Sequence, residues 1–292
     1  MKIAALGDIH GNYHALIRVL EDLENWKPDQ VLVLGDLINR GPRSKDCLDL
    51  IQEKARNPHW QLIKGNHEGY VLNFRDPAYS RSGHDYQLRK VILWTFQTLT
   101  EQDIAEISRL PEEITVHLPD PAPLKAAHAS TAGDRIGIYP TTPSADLPGL
   151  TPADAGAFVV GHTHQPLIRN FQGTTIVNAG SVGLPFDGDT RPSYARLTYH
   201  NGEWQAEIIR LEYDREAAEE DFFSFGFIPE GGPLAELILV ELQLGWPQLG
   251  KWFKRFEQPF RQDQISLQDA VYEFLKNPNI ETRNSGNRGM IA

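Results

Sequence analysis

Seven side chains in this 292-residue sequence are oxygen or imidazole donors of the kind that hard and borderline divalent cations take: Asp8, His10, Asp36, Asn66, His128, His162 and His164. Asp8 and His10 are separated by one residue, so with Ile9 turned away both can face the same ion. A pair of cations needs a carboxylate that bridges them at a spacing of about 3.5–4 Å. Asp36, at the end of the next apolar run, is the natural bridge, and the remaining four donors complete the set. Such a centre performs metal-assisted hydrolysis, in which water rather than a protein side chain is the nucleophile. Taken singly, each residue reads as a turn Asp or a surface His. Five segments in order, mostly following strand-like runs, read together as a site.

The elements that must gather these donors are visible as hydrophobic periodicity. Residues 3–6 and 31–34 are short apolar runs that each lead into Gly-Asp, and residues 14–23 between them carry apolar side chains at helical spacing. The spacing predicts a second helix over Ser44–Lys54 and a strand over residues 61–63, ending at Gly65-Asn66-His67-Glu68. Three more strands are expected: Leu124–Ala127 before His128, residues 158–160 before Gly161-His162-Thr163-His164, and residues 174–177 before Asn178-Ala179-Gly180-Ser181. In open α/β sheets ligands gather beyond the carboxyl ends of the strands, so clusters far apart in sequence can converge there.

Residues 86–110 read as helical, with Leu88, Ile92, Phe96 and Leu99 on one face and Pro111 as a stop, and suggest a helical cap over about residues 69–111. Residues 191–211 alternate around the turn signal Asn201-Gly202 and are expected to form a hairpin extending a second sheet. Past Tyr213 the pattern turns helical, through Leu234–Leu244 and then Trp252, Phe253, Phe256 and Phe260. The expected organisation is a catalytic domain over residues 1–212 and a C-terminal helical extension over residues 213–292, with a polar, aperiodic tail from about residue 277. Trp246, Trp252, Phe253 and Phe256 are expected to pack on the parent domain, with a partner-binding surface as the alternative.

Composition narrows the class. A net charge of −11 argues against binding a bulk phosphate backbone, which depends on Lys and Arg displacing counterions. Cys47 is the sole cysteine, so no intramolecular disulfide forms. No apolar run is long enough to span a bilayer, and the sequence reaches Gly7-Asp8 too soon for a signal peptide, which makes a cytoplasmic location the expectation. Oligomeric state is left open.

The segments Gly7-Asp8-Ile9-His10-Gly11, Gly35-Asp36-Leu37-Ile38-Asn39-Arg40-Gly41, Gly65-Asn66-His67-Glu68, His128 and Gly161-His162-Thr163-His164 resemble the signatures of the calcineurin-like metallophosphoesterases. The resemblance implies an α/β fold of two packed mixed β-sheets flanked by helices, a four-layer sandwich, followed here by the C-terminal helices. It implies Asp8, His10, Asp36 and His164 around one ion and Asp36, Asn66, His128 and His162 around the other. It further implies that His67 is not a ligand but faces the substrate, protonating the leaving oxygen or stabilising the transition state. Family resemblance favours Mn²⁺, while the donors also suit Fe, Zn²⁺ or Co²⁺. The reaction so implied is phosphate-ester hydrolysis by a metal-activated hydroxide. Arg40 offers a planar bidentate donor to a phosphate oxygen, with Asn39 beside it at the substrate.

Residues 35–42 and 65–68 resemble the phosphoprotein phosphatase branch, which includes Ser/Thr phosphatases and symmetrical dinucleoside tetraphosphatases; residues 161–166 and 178–185 resemble bacterial phosphodiesterase-like members. The substrate classes in view are therefore a phosphorylated small molecule, a nucleotide or a phosphoprotein. Asn39 stands where the Ser/Thr phosphatases usually carry an Asp that supports the catalytic His, and a neutral amide cannot stabilise an imidazolium as a carboxylate does. This weighs toward small or nucleotide substrates, with Glu68 as the neighbouring carboxylate that could compensate. Tyr70, Trp94 and Phe96 are candidates for stacking on a base, although aromatics at helical spacing are more often core. The loop bearing Asp187, Asp189 and Arg191 reads as a solvated turn. The competing class is a non-catalytic scaffold of the same fold that binds a protein partner through the C-terminal helices. Retention of His67 and all seven donors argues against it.

Overall fold

The computed structural model describes residues 1–118 and 123–276. The expected tail from about residue 277 lies outside the described residues. Two five-stranded sheets form the centre. In chain order the strands are β1 (Lys2–Leu6), β2 (Gln30–Val33), β3 (Trp60–Leu62), β4 (Glu113–Val116), β5 (Leu124–Ala127), β6 (Ala157–Val160), β7 (Leu167–Phe171), β8 (Thr174–Asn178), β9 (Ser193–His200) and β10 (Glu203–Arg210). The first sheet has the order β10-β9-β1-β2-β3 and the second β4-β5-β6-β8-β7.

Each sheet contains three adjacent parallel strands: β1, β2 and β3 in one, β5, β6 and β8 in the other. Parallel strands are covered on both faces and read as continuous apolar runs. Alternation along β1 shows this: Ile3 and Ala5 enter the layer between the sheets, while Ala4 and Leu6 face the helices. The layer between the sheets joins Ile3, Leu32, Leu34 and Ile63 to Ile114, Leu124, Val159 and Val177.

Helix α1 (Tyr13–Trp26) starts where the Asn12 side chain accepts a hydrogen bond from Ala15 N, and it ends at Lys27 in the left-handed conformation. Its buried stripe, Ala15, Leu16, Val19, Leu20 and Leu23, packs with Cys47, Leu48 and Ile51 of α2 (Ser44–Lys54) on the first sheet. The outer face of the second sheet is covered by Ile138 and Leu147 of an irregular segment carrying one 3-10 turn.

Two expectations need correction. The hairpin β9–β10 does not extend the second sheet: β9 pairs antiparallel with β1, and β10 forms the outer edge of the first. Alternation specifies a hairpin but not its partner, which is set by the matching of apolar faces across the sheets. Residues 86–110 are also not one helix. They follow α3 (Asn66–Leu72) as three short ones, α4 (Gly83–Leu88), α5 (Lys90–Thr98) and α6 (Glu101–Ile107), the last started by a Thr100–Asp103 capping box.

Beyond the hairpin come α7 (Arg215–Ser224), α8 (Phe227–Gly231), α9 (Leu234–Leu244), α10 (Leu249–Arg261) and α11 (Leu267–Leu275). They share one apolar cluster with Val91 and Trp94 of α5 and with Leu184. In α10 the apolar side chains Leu249, Trp252, Phe256 and Phe260 recur every three or four residues and are buried together.

Candidate metal centre

Every predicted donor leaves the carboxyl end of a parallel strand. Asp8 and His10 follow β1, Asp36 follows β2, Asn66 opens α3 after β3, His128 follows β5, and His162 and His164 follow β6. The parallel ends of both sheets thus meet at one place, as the topology requires of a crevice site.

The turns that carry them are strained. Asp8, His10, Asp36, Asn39, Arg40, His162 and His164 have positive φ between 48° and 69°, and they are seven of the eleven such non-glycine residues among the described residues. Each conformation of this kind costs about 1–3 kcal/mol and persists only where its surroundings over-determine it. Glu68 supplies much of that constraint. Its buried carboxylate accepts from the backbone N–H groups of Asp36 and Gly65 through Oε2 and of Leu37 and Ile38 through Oε1. Glycine permits the close approaches: a Cβ on Gly65 would lie 2.1 Å from Asp36 Oδ1, and one on Gly161 2.5 Å from Asp8 Oδ2. Burial, followed by the Asp36 charge, pushes the Glu68 carboxyl up to about 7, against the pull of its backbone donors. Four N–H groups already occupy its oxygens, and a proton would displace one of them.

The candidate ligand atoms of Asp8, His10, Asp36 and His164 all lie within 4.8 Å of one another, and all four residues are buried. His10 Nε2 is 3.1 Å from His164 Nε2, which is 3.3 Å from Asp8 Oδ1. Asp36 Oδ2 lies 3.6 Å from His10 Nε2 and 3.4 Å from His128 Nε2. On that further side, Asn66 Oδ1 stands 2.8 Å from His128 Nε2 and 3.0 Å from His162 Nδ1. All seven predicted donors therefore converge, with Asp36 between the two groups.

The hydrogen bonds on the outer side of each donor aim it inward. The Nδ1 atoms of His10, His128 and His164 face the backbone carbonyls of Asn39, Leu34 and Leu184 at 3.3, 2.7 and 2.5 Å. With the ring proton on Nδ1, each Nε2 presents a lone pair to the centre, the arrangement in which metal-ligating imidazoles are usually held. Asp8 Oδ2 accepts from His162 N, whereas Asp8 Oδ1 is buried with no hydrogen-bond partner. Asp36 Oδ1 accepts from His67 N at 2.9 Å, leaving Oδ2 for the centre.

These features fit a divalent-cation site. Two imidazole lone pairs meeting at 3.1 Å beside an orphaned carboxylate oxygen are repulsive unless positive charge lies between them. Electrostatics agrees. Burial opposes charge on His128, yet the adjacent Asp36 carboxylate outweighs it and lifts the imidazole to about 10. Asp36 is itself buried, and His128 and His67 nonetheless hold it well below the usual carboxylate range. Burial, reinforced by His128, pushes His162 down to about 4. The carboxylates thus demand positive charge where the ring nitrogens converge.

His67 sits at the edge of this cluster, its ring 4.8 Å from that of His10 and 5.1 Å from that of Tyr70. Asn39 Oδ1 accepts from Arg40 N at 2.9 Å, so the Asn39 amide turns its NH₂ toward His67 Nδ1, 2.7 Å away. That hydrogen-bond pattern leaves the His67 proton on Nε2. The expected compensation by Glu68 does not occur, because its carboxylate is committed to backbone N–H groups rather than to His67. Arg40 points to Glu241 of α9, with Nη1 to Oε2 at 3.1 Å.

Other candidates separate by burial. Trp94 and Phe96 belong to apolar clusters, so of the three aromatic candidates Tyr70 alone lies beside His67. Trp252 and Phe256 are buried. Asp189 pairs with Arg191 within the loop and Asp187 with Arg210 of β10, so the loop carboxylates are answered by ion pairs. Three residues that position the site were not singled out as such from the sequence. Asn12 donates to Gly183 O, Ser181 Oγ donates to Asp8 O, and Asn178 donates to Gly161 O and Thr163 Oγ1. Asn178 had a signal, as a polar residue at a strand end; Glu241 had none inside a Leu- and Glu-rich helix.

Comparison with known proteins agrees with this geometry. The family model of the calcineurin-like phosphoesterases matches residues 1–166. An uncharacterised protein of Methanocaldococcus jannaschii is 27% identical over 234 residues, which cover 75% of this chain and 90% of that protein. The symmetrical bis(5'-nucleosyl)-tetraphosphatase of Dechloromonas aromatica is 36% identical over 93 residues, 32% of this chain and only 33% of the relative. Among solved structures, a metallophosphoesterase from Sphaerobacter thermophilus shares the fold with a TM-score of 0.64 at 23% identity, covering 84% of this chain and all of the other. With its family signatures gathered at the ends of two packed sheets, the chain belongs to the calcineurin-like phosphoesterases and is a phosphoesterase hydrolase.

Proposed function

We propose that the protein hydrolyses phosphate esters of small molecules or nucleotides at a two-cation centre. Asp8, His10, Asp36 and His164 would hold one ion and Asp36, Asn66, His128 and His162 the other, with Mn²⁺ the first metal to test. The observation that carries this reading is the position of Asp36 Oδ2, within 3.6 Å of His10 Nε2 and 3.4 Å of His128 Nε2, which suits a bridging carboxylate. When bound, such cations polarise phosphoryl oxygens and make water acidic enough to serve as nucleophile near neutral pH.

The chain's own residues do the rest. Arg40 presents its guanidinium to a phosphate oxygen. His67 offers its Nε2–H to the leaving oxygen, because the Asn39 amide donates to Nδ1 and leaves the proton on the substrate side. Asn39 in this role favours a neutral hydrogen-bond donor over the imidazolium that a carboxylate would support, which weighs against a phosphoprotein phosphatase. A tetraphosphatase-like activity on dinucleoside polyphosphates rests on the resemblance of residues 35–42 and 65–68.

The test is turnover of p-nitrophenyl phosphate, bis-p-nitrophenyl phosphate, a phosphopeptide and diadenosine tetraphosphate by metal-stripped protein given back Mn²⁺. Wild type should regain activity, and Asp36→Asn should lose about 10³-fold, since bridging charge supplies several kcal/mol of transition-state stabilisation. His67→Ala should lose about 10²-fold or more. A folded, metal-loaded wild type that turns over none of the four would favour the scaffold.

A further inference from the structure

The buried stripe of α9 reads Leu234, Ala235, Leu237, Ile238, Glu241, Leu242, and one member of it is a carboxylate. Glu241 is fully buried. A buried carboxylate is costly unless every lone pair is answered, and removing the partner of a buried ion pair is strongly destabilising. Here Oε1 accepts the backbone N–H groups of Gln248 and Leu249 at 2.6 and 2.8 Å, which closes the turn into α10. Oε2 takes Arg40 Nη1 at 3.1 Å. The charge partner of Glu241 is therefore an arginine of the family motif, 201 residues earlier in the chain.

Arg40 is held from both ends. Its backbone, at φ 66°, is bonded to Asn39 Oδ1, and its side chain is only 21% exposed. Its guanidinium carbon lies 5.9 Å from the Phe186 ring, which stacks on His164 at 4.4 Å. An arginine is a fork: one amino group anchored on a carboxylate leaves the other and Nε directed, so less rotamer freedom is lost when a phosphate arrives.

We infer that Glu241 is a positioning residue for Arg40, so that the C-terminal helices complete the phosphate-binding side of the site. The inference rests on the reading of Arg40 as a phosphate ligand.

The experiment is a double-mutant cycle on the full chain loaded with Mn²⁺, using Glu241→Gln and Arg40→Ala and the ester that wild type hydrolyses fastest. Glutamine keeps one oxygen for the α10 N–H groups but turns an NH₂ toward Arg40. Glu241→Gln should raise KM about 10-fold with kcat changed less than about 3-fold, and should weaken binding of inorganic phosphate by a similar factor in calorimetry. In the Arg40→Ala background the same change should shift neither quantity by more than about 2-fold, because the coupled interaction is already gone. A purely structural role would lower activity by the same factor in both backgrounds, and that outcome overturns the inference. So does a KM equal to or below that of wild type, which would mean that Glu241 only neutralises the arginine. If instead Arg40→Ala leaves KM and phosphate binding unchanged, the phosphate role of Arg40 falls together with the inference. Thermal melting confirms that each variant is folded.

Discussion

The loops at the strand ends and the C-terminal helical layer are both buried, but for opposite reasons. The loops bury Asp8, His10, Asp36, Asn66, His128 and His164 on a backbone with seven left-handed non-glycine residues, and one carboxylate oxygen has no hydrogen-bond partner. The helical layer buries Phe222, Phe227, Trp252, Phe256 and Phe260 in ordinary helices, and its one buried acidic side chain is satisfied by Arg40 and two backbone amides. One region stores strain and uncompensated charge for a ligand to relieve; the other supplies apolar packing. The difference teaches where stability is generated and where it is used.

Four measurements would break or sharpen that contrast. The largest effect on stability is expected in the helical layer: Trp252→Ala, at a fully buried side chain, should cost about 3–5 kcal/mol in denaturant unfolding. A loss below about 1 kcal/mol would show that the layer is not a packed core. The strand-end loops should respond instead to metal. Adding Mn²⁺ to stripped protein at about a hundred times its Kd should stabilise it by about 2.7 kcal/mol, and chelation should reverse the gain. A melting temperature indifferent to Mn²⁺ would remove the link between the strained loops and a cation.

Glu68→Gln comes next. A glutamine side chain has one acceptor oxygen where the carboxylate has two, so the turns bearing Asp36 and Gly65 lose part of their support. Metal affinity should fall about 10–100-fold by titration calorimetry. Unchanged affinity would mean that the turns hold themselves. The smallest effect belongs to the surface pair Asp189–Arg191, in which the arginine hydrogen bonds draw the Asp189 carboxyl down to about 2. A depressed carboxyl contributes stability above its unfolded pKa of about 3.9 and loses it as pH falls toward 2. Because Asp189 is a third exposed and Arg191 more so, Asp189→Asn should cost less than about 1 kcal/mol at pH 7, with the gap closing below pH 4. A larger cost would show that this loop supports the site behind it.

Much of the candidate site was legible because its donors belong to short segments in which type and spacing travel together. Gly7-Asp8-Ile9-His10 and Gly161-His162-Thr163-His164 needed only the strands before them to be placed, and those strands are continuous apolar runs. The roles of Asn12, Ser181 and Glu241 were not legible, since each ties the site through a hydrogen bond to a residue far along the chain, and Asn178 showed only as a polar residue at a strand end. Strands β4 and β7 were missed for a related reason. Both lie at sheet edges with one face open, so Glu113, Thr115, Arg169 and Asn170 dilute the apolar signal.

The sequence by itself determined the donor inventory, the helices α1 and α2, and the parallel strands that carry the ligands, because hydrophobic period and turn chemistry are local properties of a chain. Tertiary structure alone decided that the β9–β10 hairpin joins the first sheet, that Glu68 serves backbone amides rather than His67, and that an α9 carboxylate holds Arg40. These outcomes depend on which surfaces meet after folding. Burial then makes an unpaired charge or amide too costly to leave unanswered, whatever its distance in sequence.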